Sequence, residues 1–247
     1  MTTGLYNLGN TCFINTILQG LVHLSELNTW FDEVVSDKTI VKEYNDIRKL
    51  MLHHDCLMKP YRFVATIYHV MSHFKERQQQ DACELLLYLL DEFDCPLFKG
   101  EQISHLDTTT TKEPFWSIEL PIPDEPCTLE SCILNYYTPE LVDWNNKIVP
   151  KWYEISVYPF YLCITLKRFN NLNRKNQTLV NIPLILKLGE IYELLFVANH
   201  SGGTRGGHYT ATLFTDKWYT FDDDTITTHE FNSTKDAYCL IFRKKTL

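Results

Sequence analysis

The spacing of apolar residues changes near residue 100, and this change limits the folds that the chain can adopt. Before it, apolar positions follow helical periodicity, first over Ile14, Ile17, Leu18, Leu21 and Val22 and then over residues 41–53, 60–72 and 79–93. Beyond it, short runs rich in Phe, Tyr, Ile and Val predict strands at residues 115–120, 153–157, 160–168, 192–199, 208–214, 217–221 and 236–243. Polar breaks at residues 108–112, 170–177 and 201–207 separate these runs. Helices followed by strands predict an α+β fold.

The overall charge excludes one class of partner. The 247 residues carry a formal net charge of −8 and no basic stripe, so we expect no nucleic-acid partner and an attraction for basic peptides. No apolar stretch approaches the ~20 residues that a membrane helix needs, and the first residues lack the pattern of a signal peptide. We therefore expect no membrane insertion and a cytoplasmic location, with the nucleus as the alternative.

The cysteines give little sign of a metal site. In a chain expected inside the cell, the eight cysteines should be reduced thiols. Cys83, Cys163 and Cys239 lie in apolar patterns, which predicts that they are buried. Cys127 and Cys132 are the closest pair, but no C-x-x-C spacing occurs. We expect no structural zinc site, no other metal and no cofactor.

Cys12 stands where a glycine-bearing segment turns into the first predicted helix. Gly9 permits a tight backbone, and Asn10 or Thr11 is expected to cap the helix. The positive end of a helix favours thiolate, which predicts a pKa for Cys12 below the usual ~8.5. Free N–H groups there would also stabilise an oxyanion. These features make Cys12 a candidate nucleophile, and a buried structural cysteine is the alternative.

His208 is the candidate base among the nine histidines, because a glycine-rich segment at residues 201–207 leads into the strand that it begins. Such a segment lets a substrate backbone approach closely and could become ordered on binding. The alternative is a surface histidine beside a solvated acidic turn.

The next predicted strand brings carboxylates towards His208. If residues 215–216 form a two-residue turn, Phe214 pairs with Lys217, and His208 lies opposite Asp223. A bulge would bring Asp222 or Asp224 to that place instead. A carboxylate beside the imidazole would fix its tautomer and stabilise its charged form.

Several motifs, taken in order, resemble those of the ubiquitin-specific proteases. Residues 4–19 (GLYNLGNTCFINTILQ) look like the cysteine box of that family, and residues 79–86 (QQDACELL) like its glutamine–aspartate helix motif. Residues 166–169 (LKRF) resemble a core strand, and residues 206–211 (GGHYTA) with 218–223 (WYTFDD) resemble the histidine box. Residues 237–242 (AYCLIF) resemble the terminal strand. The resemblance therefore covers almost the whole chain.

The resemblance implies a papain-like cysteine protease fold with a helical thumb at about residues 1–97 and β-rich fingers and palm at about 98–247. All 247 residues would then form one catalytic domain. Many family members bind zinc through two C-x-x-C pairs in the fingers, but residues 101–114 and 141–153 contain no cysteine here. We therefore expect short fingers, with zinc not required.

The resemblance also implies roles for single residues. The catalytic ones would be Cys12 as nucleophile, His208 as base, Asn7 as donor to the oxyanion and Asp222 as the carboxylate, with Asp223 as a secondary candidate. The substrate, ubiquitin, has a tail that carries arginines and ends in two glycines. The residues that would bind this tail are Asp81, Glu84, Gln79, Gly207 and Tyr209.

The function expected from this resemblance is that of a deubiquitinating isopeptidase, which hydrolyses the bond after the C-terminal Gly-Gly of ubiquitin. Its partners would be ubiquitin and ubiquitinated proteins. Two alternatives are an inactive relative that only binds ubiquitin and an enzyme that uses the same chemistry on another ubiquitin-like modifier. Competent residues at all four catalytic positions favour the active enzyme.

Overall fold

The computed structural model describes residues 3–169, 174–203 and 206–245, and in it helices precede strands as the periodicity predicts. Its α-helices are α1 (Cys12–Val22), α2 (Ser25–Glu33), α3 (Thr39–His53), α4 (Tyr61–Val70), α5 (Ala82–Phe93) and α6 (Leu129–Tyr137). The predicted helices correspond to α1, α3, α4 and α5, whereas α2 and α6 were not predicted. Within the described ranges, no helix is both long and apolar enough to cross a membrane.

The strands follow in many short segments. They are β1 (Gly4–Leu5), β2 (Leu57–Met58), β3 (Gly100–Leu106), β4 (Thr109–Phe115), β5 (Ser117–Pro121), β6 (Cys127–Thr128), β7 (Glu140–Trp144), β8 (Lys147–Val157), β9 (Tyr161–Lys167), β10 (Val180–Asn181), β11 (Ile185–Leu188), β12 (Glu190–Gly203), β13 (Gly206–Phe214), β14 (Trp218–Asp222), β15 (Thr225–His229) and β16 (Ala237–Lys244). The predicted strands all fall on strands of this set. The α+β fold class is therefore confirmed.

The described chain forms two compact units. Unit 1 comprises the residues up to Cys95 together with Leu195–Asn232, and unit 2 comprises Pro96–Leu194 and the residues from Ser233 onward. Every candidate site residue named above lies in unit 1. The single catalytic domain with a division at about residue 97 stays a prediction.

Helix α1 forms the centre of unit 1, where it packs against α5 and β13. All 11 of its residues are buried, although the periodicity identified only one apolar face. The buried polar side chains have partners: Gln19 Nε2, for example, donates to the carbonyl oxygen of Thr3 at 2.7 Å. Such hydrogen bonds offset the cost of removing amides from water.

The sheet of unit 1 corrects the predicted hairpin register. Strands β12, β13, β14 and β15 pair in sequence order and are antiparallel. Phe214 pairs with Trp218 rather than Lys217, because residues 215–217 form a three-residue connection in which Thr215 N donates to Lys217 O at 3.1 Å. The predicted pairing is thus wrong by one residue, and a shift of one residue exchanges the two faces of a strand.

The glycine-rich segment before His208 is also more regular than predicted. Strand β12 extends to Gly203 and β13 begins at Gly206, so the predicted break is wrong for residues 201–203 and 206–207. Residues 204–205 lie outside the described residues. His208 is the third residue of β13, not the first, and it pairs with Ser201.

Unit 2 contains an antiparallel sheet in the order β4-β3-β8-β7, and it contains the strands β16, β9 and β5, of which β5 and β9 are parallel. The predicted polar break at residues 108–112 is wrong, because Thr109–Phe115 pairs along β3. Threonine is β-branched and favours strands, and this preference outweighs its polarity here.

Two further predictions fall in unit 2. Of the predicted break at residues 170–177, residues 170–173 lie outside the described residues, and the structure describes residues 174–177. Cys163 and Cys239 are buried as predicted.

The contact between Gly20 of α1 and the ring of Phe196 generates a prediction about stability. A Cβ on Gly20 would lie 2.7 Å from ring atoms of Phe196, which is 1% exposed. We expect Gly20→Ala to lower the free energy of unfolding by about 1–2 kcal/mol, since overpacking outweighs the gain of about 1 kcal/mol in helix propensity. Denaturant titration measures this loss.

Gly203→Ala is the matched control, because a Cβ there would meet nothing within 4 Å. We expect that control to change stability by less than about 0.5 kcal/mol. A favourable coupling between Gly20→Ala and Phe196→Leu in a double-mutant cycle would locate the clash. Unchanged stability of Gly20→Ala would contradict the packing described.

Candidate active site

Cys12 is the first residue of helix α1, and a tight turn precedes it. Gly9 and Asn10 have φ angles of 106° and 56°, which glycine adopts freely and asparagine tolerates. Thr11 occupies the N-cap position, but its hydroxyl accepts a hydrogen bond from Leu8 N at 2.8 Å and makes none with the helix. Thr11, one of the two predicted residues, is thus the N-cap residue, but its side chain does not bond the helix, because the hydroxyl closes the turn instead.

The thiol of Cys12 is buried, with only 3% of the residue exposed. Burial is the largest effect on its pKa and raises it, and the negative charge of Asp223 raises it further. Hydrogen bonds from the backbone of Tyr209 and of Phe13 lower the pKa by less. The predicted lowering is wrong, because the sequence showed the helix terminus but not how deeply the thiol is buried.

His208 is held by Asp222. Its Nε2 lies 2.5 Å from Asp222 Oδ1, and Asp222 is the last residue of β14. The contact falls on the residue that the family resemblance indicated, and not on Asp223, which the hairpin register indicated. Because a carboxylate only accepts hydrogen bonds, the neutral imidazole carries its proton on Nε2 and keeps a lone pair on Nδ1.

Asp223 is engaged on the other side of the site. Its Oδ2 accepts from Asn7 Nδ2 at 2.9 Å and its Oδ1 from Asn15 Nδ2 at 2.8 Å. Its backbone carbonyl accepts from Leu5 N at 2.9 Å, and its φ angle is 51°. Two amides and a backbone bond therefore fix this carboxylate near Cys12, where its charge raises the pKa of the thiol.

The amide of Asn7 is oriented by contacts at both of its ends. While Nδ2 donates to Asp223, Oδ1 accepts from Gly9 N at 2.9 Å and from Thr11 N at 3.1 Å. An inverted amide would place an oxygen against a carboxylate, so these contacts fix Nδ2 as the end that faces the site. A second hydrogen on Nδ2 is available for another acceptor.

Gln79 pairs with the backbone just before His208. Its Nε2 donates to the carbonyl of Gly207, and its Oε1 accepts from Gly207 N at 2.5 Å. Gly207 itself lies against the ring of His200, and any Cβ at this position would collide with Nε2 of that histidine. The position therefore requires glycine.

The two acidic residues at the start of α5 both have partners within unit 1. Asp81 is the N-cap, and its Oδ1 accepts from Cys83 N at 2.7 Å and from Glu84 N at 3.3 Å. Glu84 Oε1 lies 2.8 Å from His73 Nε2, and its side chain is 52% exposed. Asp81 thus stabilises the helix whether or not it also contacts a substrate.

Tyr209 connects the thiol to the start of α5. Its backbone donates a hydrogen bond to Cys12, while its side chain is buried and its hydroxyl bonds the backbone of Ala82. Burial, and then the charge of Asp81, raise the pKa of its phenol. This side chain is therefore a neutral spacer between two parts of the site.

Two residues in the site were missed in the sequence. Asn15 follows Cys12 by one helical turn, and a polar amide within an otherwise apolar helix was the available signal. His200 lies within strand β12, and its ring is tilted against that of Tyr209 with 4.6 Å between the ring centroids. Neither could be placed without knowing which strands adjoin α1.

One group of side chains has the spacing of metal ligands. Atoms of His208, Asp222 and Asp223 lie within 4.8 Å of one another, and they are the group of this kind among the described residues. The hydrogen bonds described above already use these atoms, and they suit proton transfer. The absence of a metal and of a cofactor stays a prediction.

A family model and the similar proteins found by comparison all point to the same family. Residues 3–242 match the family described as ubiquitin carboxyl-terminal hydrolase. The human ubiquitin carboxyl-terminal hydrolase 2 is 28% identical over 97% of this chain, which covers 54% of that protein. The Drosophila melanogaster ubiquitin carboxyl-terminal hydrolase Usp2 is 26% identical over 90% of this chain, which covers 32% of that protein. The chain thus spans about half or less of the length of these relatives.

A solved structure shares the fold. A chain of the SAGA Ubp8/Sgf11/Sus1/Sgf73 DUB module bound to ubiquitin aldehyde matches 100% of this chain and 70% of its own length, with a TM-score of 0.86 and 22% identity. The predicted papain-like α+β fold is confirmed by this match. Because the family match extends over nearly every residue and includes all the motifs described above, the chain belongs to the ubiquitin carboxyl-terminal hydrolase family.

Proposed function

We propose that this chain is a deubiquitinating cysteine isopeptidase that hydrolyses the bond after the C-terminal Gly-Gly of ubiquitin. One arrangement on strand β13 carries the proposal. The backbone of Tyr209 donates a hydrogen bond to the sulfur of Cys12, and the residue before Tyr209 is His208, whose Nε2 lies 2.5 Å from Asp222 Oδ1. Thiol, imidazole and carboxylate are the groups that acyl transfer through a cysteine needs. The family and the names of its members support ubiquitin as the substrate and ubiquitinated proteins as partners.

The raised pKa of Cys12 decides how the first step proceeds. Burial favours the protonated thiol, and in this proposal Sγ attacks the carbonyl carbon of the terminal glycine as its proton moves to Nδ1 of His208. The imidazolium, paired with Asp222, then gives this proton to the departing lysine nitrogen, and a thioester remains on Cys12. Water activated by the same histidine hydrolyses the thioester and frees the thiol.

Asn7 and Asp223 serve the oxyanion in this proposal. The remaining hydrogen on Asn7 Nδ2 and the N–H groups at the start of α1 are donors for the developing negative charge. The bond from Asn7 to Asp223 holds the amide in the required orientation. Asp223 is therefore a positioning residue, and Asp222 orients the base.

Binding of the ubiquitin tail is assigned to the start of α5 and to Gly207. The carboxylates of Asp81 and Glu84 offer negative charge to the arginines of the tail. The backbone of Gly207, once released by Gln79, can pair with an extended peptide, and the lack of a side chain there suits the two glycines. Tyr209 shapes this site from its buried position.

Removal of the proposed nucleophile or base should abolish cleavage. We expect Cys12→Ala and His208→Ala to lower kcat/KM on a ubiquitin conjugate by at least about a thousandfold, because acyl transfer loses its thiol or its base. Ubiquitin binding and the melting temperature should change little. Cys56→Ala, at an exposed thiol, is the control and should keep full activity. Residual activity of Cys12→Ala above about a thousandth of wild type would reject this nucleophile.

The direction of the Cys12 pKa shift predicts how alkylation depends on pH. A thiol whose pKa is raised has less thiolate at neutral pH, so the rate of reaction with iodoacetamide should be low at pH 7 and should climb steadily up to pH 9. The slope should approach about tenfold per pH unit, as expected below the pKa. Peptide mass spectrometry of Cys12 at short times measures the rate. A rate independent of pH between 6 and 8 would instead indicate a preformed thiolate.

Asp81 can be tested without loss of its capping role. Asparagine caps helices about as well as aspartate, so Asp81→Asn should keep the melting temperature while removing the charge. We expect this variant to lose about 1–2 kcal/mol of substrate binding, measured as a higher KM, because a charge-assisted hydrogen bond is lost. Asp81→Ala should in addition destabilise the fold by about 1 kcal/mol.

The matched substrate for this test is ubiquitin with its tail arginines replaced. On that substrate, Asp81→Asn and the unchanged protein should have the same KM. An equal loss on both forms of ubiquitin would mean that Asp81 acts only on the helix.

A further inference from the structure

Two thiols in unit 2, outside the candidate active site, are in contact. Sγ of Cys127 and Sγ of Cys132 lie 3.5 Å apart. Between them, Thr128 caps α6 and exchanges hydrogen bonds with Ser131 in a capping box. The cysteines therefore occupy the position before the cap and a position in the second turn, whose side chains meet in a hydrophobic staple. A staple made of two thiols can also become a covalent bond.

The two thiols differ in their access to solvent. Cys132 is 2% exposed, whereas Cys127 is partly exposed and follows exposed residues at positions 123–126. Burial raises the pKa of Cys132 to about 12, so this thiol stays protonated. A small oxidant in solution therefore reacts with Cys127 first, and Cys132 is placed to react second.

A buried guanidinium adjoins the pair. Arg168 is 1% exposed and donates to backbone carbonyls of Ala237, Asn176 and Thr178. Its Nη2 is buried and has no hydrogen-bond partner within the described residues. Its positive charge lowers the pKa of Cys132, although by less than burial raises it. The two cysteines in turn favour the charged form of Arg168. A positive charge near the pair opposes a bound metal cation.

We propose that Cys127 and Cys132 form a peroxide-sensitive dithiol that closes to a disulfide. In the first step, the thiol of Cys127 loses its proton to solvent and the thiolate attacks one oxygen of hydrogen peroxide. An S–O bond forms, the O–O bond breaks, and the departing hydroxide takes up a proton and leaves as water, so that Cys127 becomes a sulfenic acid. In the second step, the sulfur of Cys132 displaces the hydroxyl group, which leaves as a second water with the thiol proton. The two cysteines are oxidised by two electrons in total, and peroxide is reduced to two waters.

The geometry allows this bond with a local movement. The sulfur atoms must approach by about 1.5 Å to reach the usual S–S length of about 2.05 Å. Cys127 lies in the two-residue strand β6, where its backbone N donates to Leu179 O at 3.1 Å, so the approach falls mainly to the two side chains. Closure joins the residue before the cap to the second turn of α6 by a covalent link.

The test uses the full chain, reduced and then exposed to hydrogen peroxide, with peptide mapping by mass spectrometry. We expect a cross-linked peptide containing Cys127 and Cys132 that has lost two hydrogens and that dithiothreitol restores. The oxidised protein should melt a few degrees higher than the reduced protein, because the link constrains the unfolded chain. Cys127→Ser should show neither change.

Two further variants separate this bond from general oxidation. Cys56→Ser removes an exposed thiol elsewhere and should leave the cross-link intact. Cys132→Ser should leave Cys127 to gain two oxygen atoms as a sulfinic acid, since its partner is missing. Sulfinic acid at Cys127 of the unchanged protein with no cross-link, or pairing of Cys127 with a different cysteine, would overturn the proposal.

Discussion

Helix α1 is buried along its whole length, and the positions of the reactive groups follow from that burial. Gly20 admits the ring of Phe196 against one side of the helix, and Asn15 reaches Asp223 from another. The thiol of Cys12, at the first turn, is fixed by the same packing. Because Cys12 and Asn15 lie one turn apart on this helix, the packing that holds the helix positions both the sulfur and the amide that contacts Asp223.

The adjacent residues Asp222 and Asp223 show how one strand end supplies two different carboxylates. Side chains of successive strand residues point to opposite faces, so two neighbouring aspartates would normally be separated. The strand ends at Asp222, and Asp223 adopts a left-handed backbone with φ 51°, which turns its side chain towards Asn7 and Asn15. One carboxylate then contacts the imidazole while the other contacts amides. The corrected register places Asp222 on the strand face of His208 without a bulge, and the positive φ of Asp223 separates the second carboxylate from the first.

The sequence predicted a large part of this arrangement, and its errors have physical causes. Helical periodicity located α1, α3, α4 and α5, and the motifs paired His208 with Asp222, between which the structure has a hydrogen bond. The predicted register of the hairpin between β13 and β14 is wrong because the length of its turn cannot be read from the Thr-Asp pair alone. The predicted direction of the pKa shift of Cys12 is wrong because the depth of burial depends on strands nearly 200 residues away in the sequence. Asn15 and His200 were missed for the same reason, since their roles arise only from tertiary contacts.

The pairing between Gln79 and Gly207 has a consequence for compounds designed to bind this backbone. Both backbone groups of Gly207 are already satisfied by one side-chain amide, much as a neighbouring strand would satisfy them. A peptide-like compound that binds this backbone must first displace the amide, so it exchanges hydrogen bonds without increasing their number. Such a compound gains affinity only where it adds apolar contact or charge beyond this exchange. Compounds built on backbone mimicry alone should therefore bind weakly.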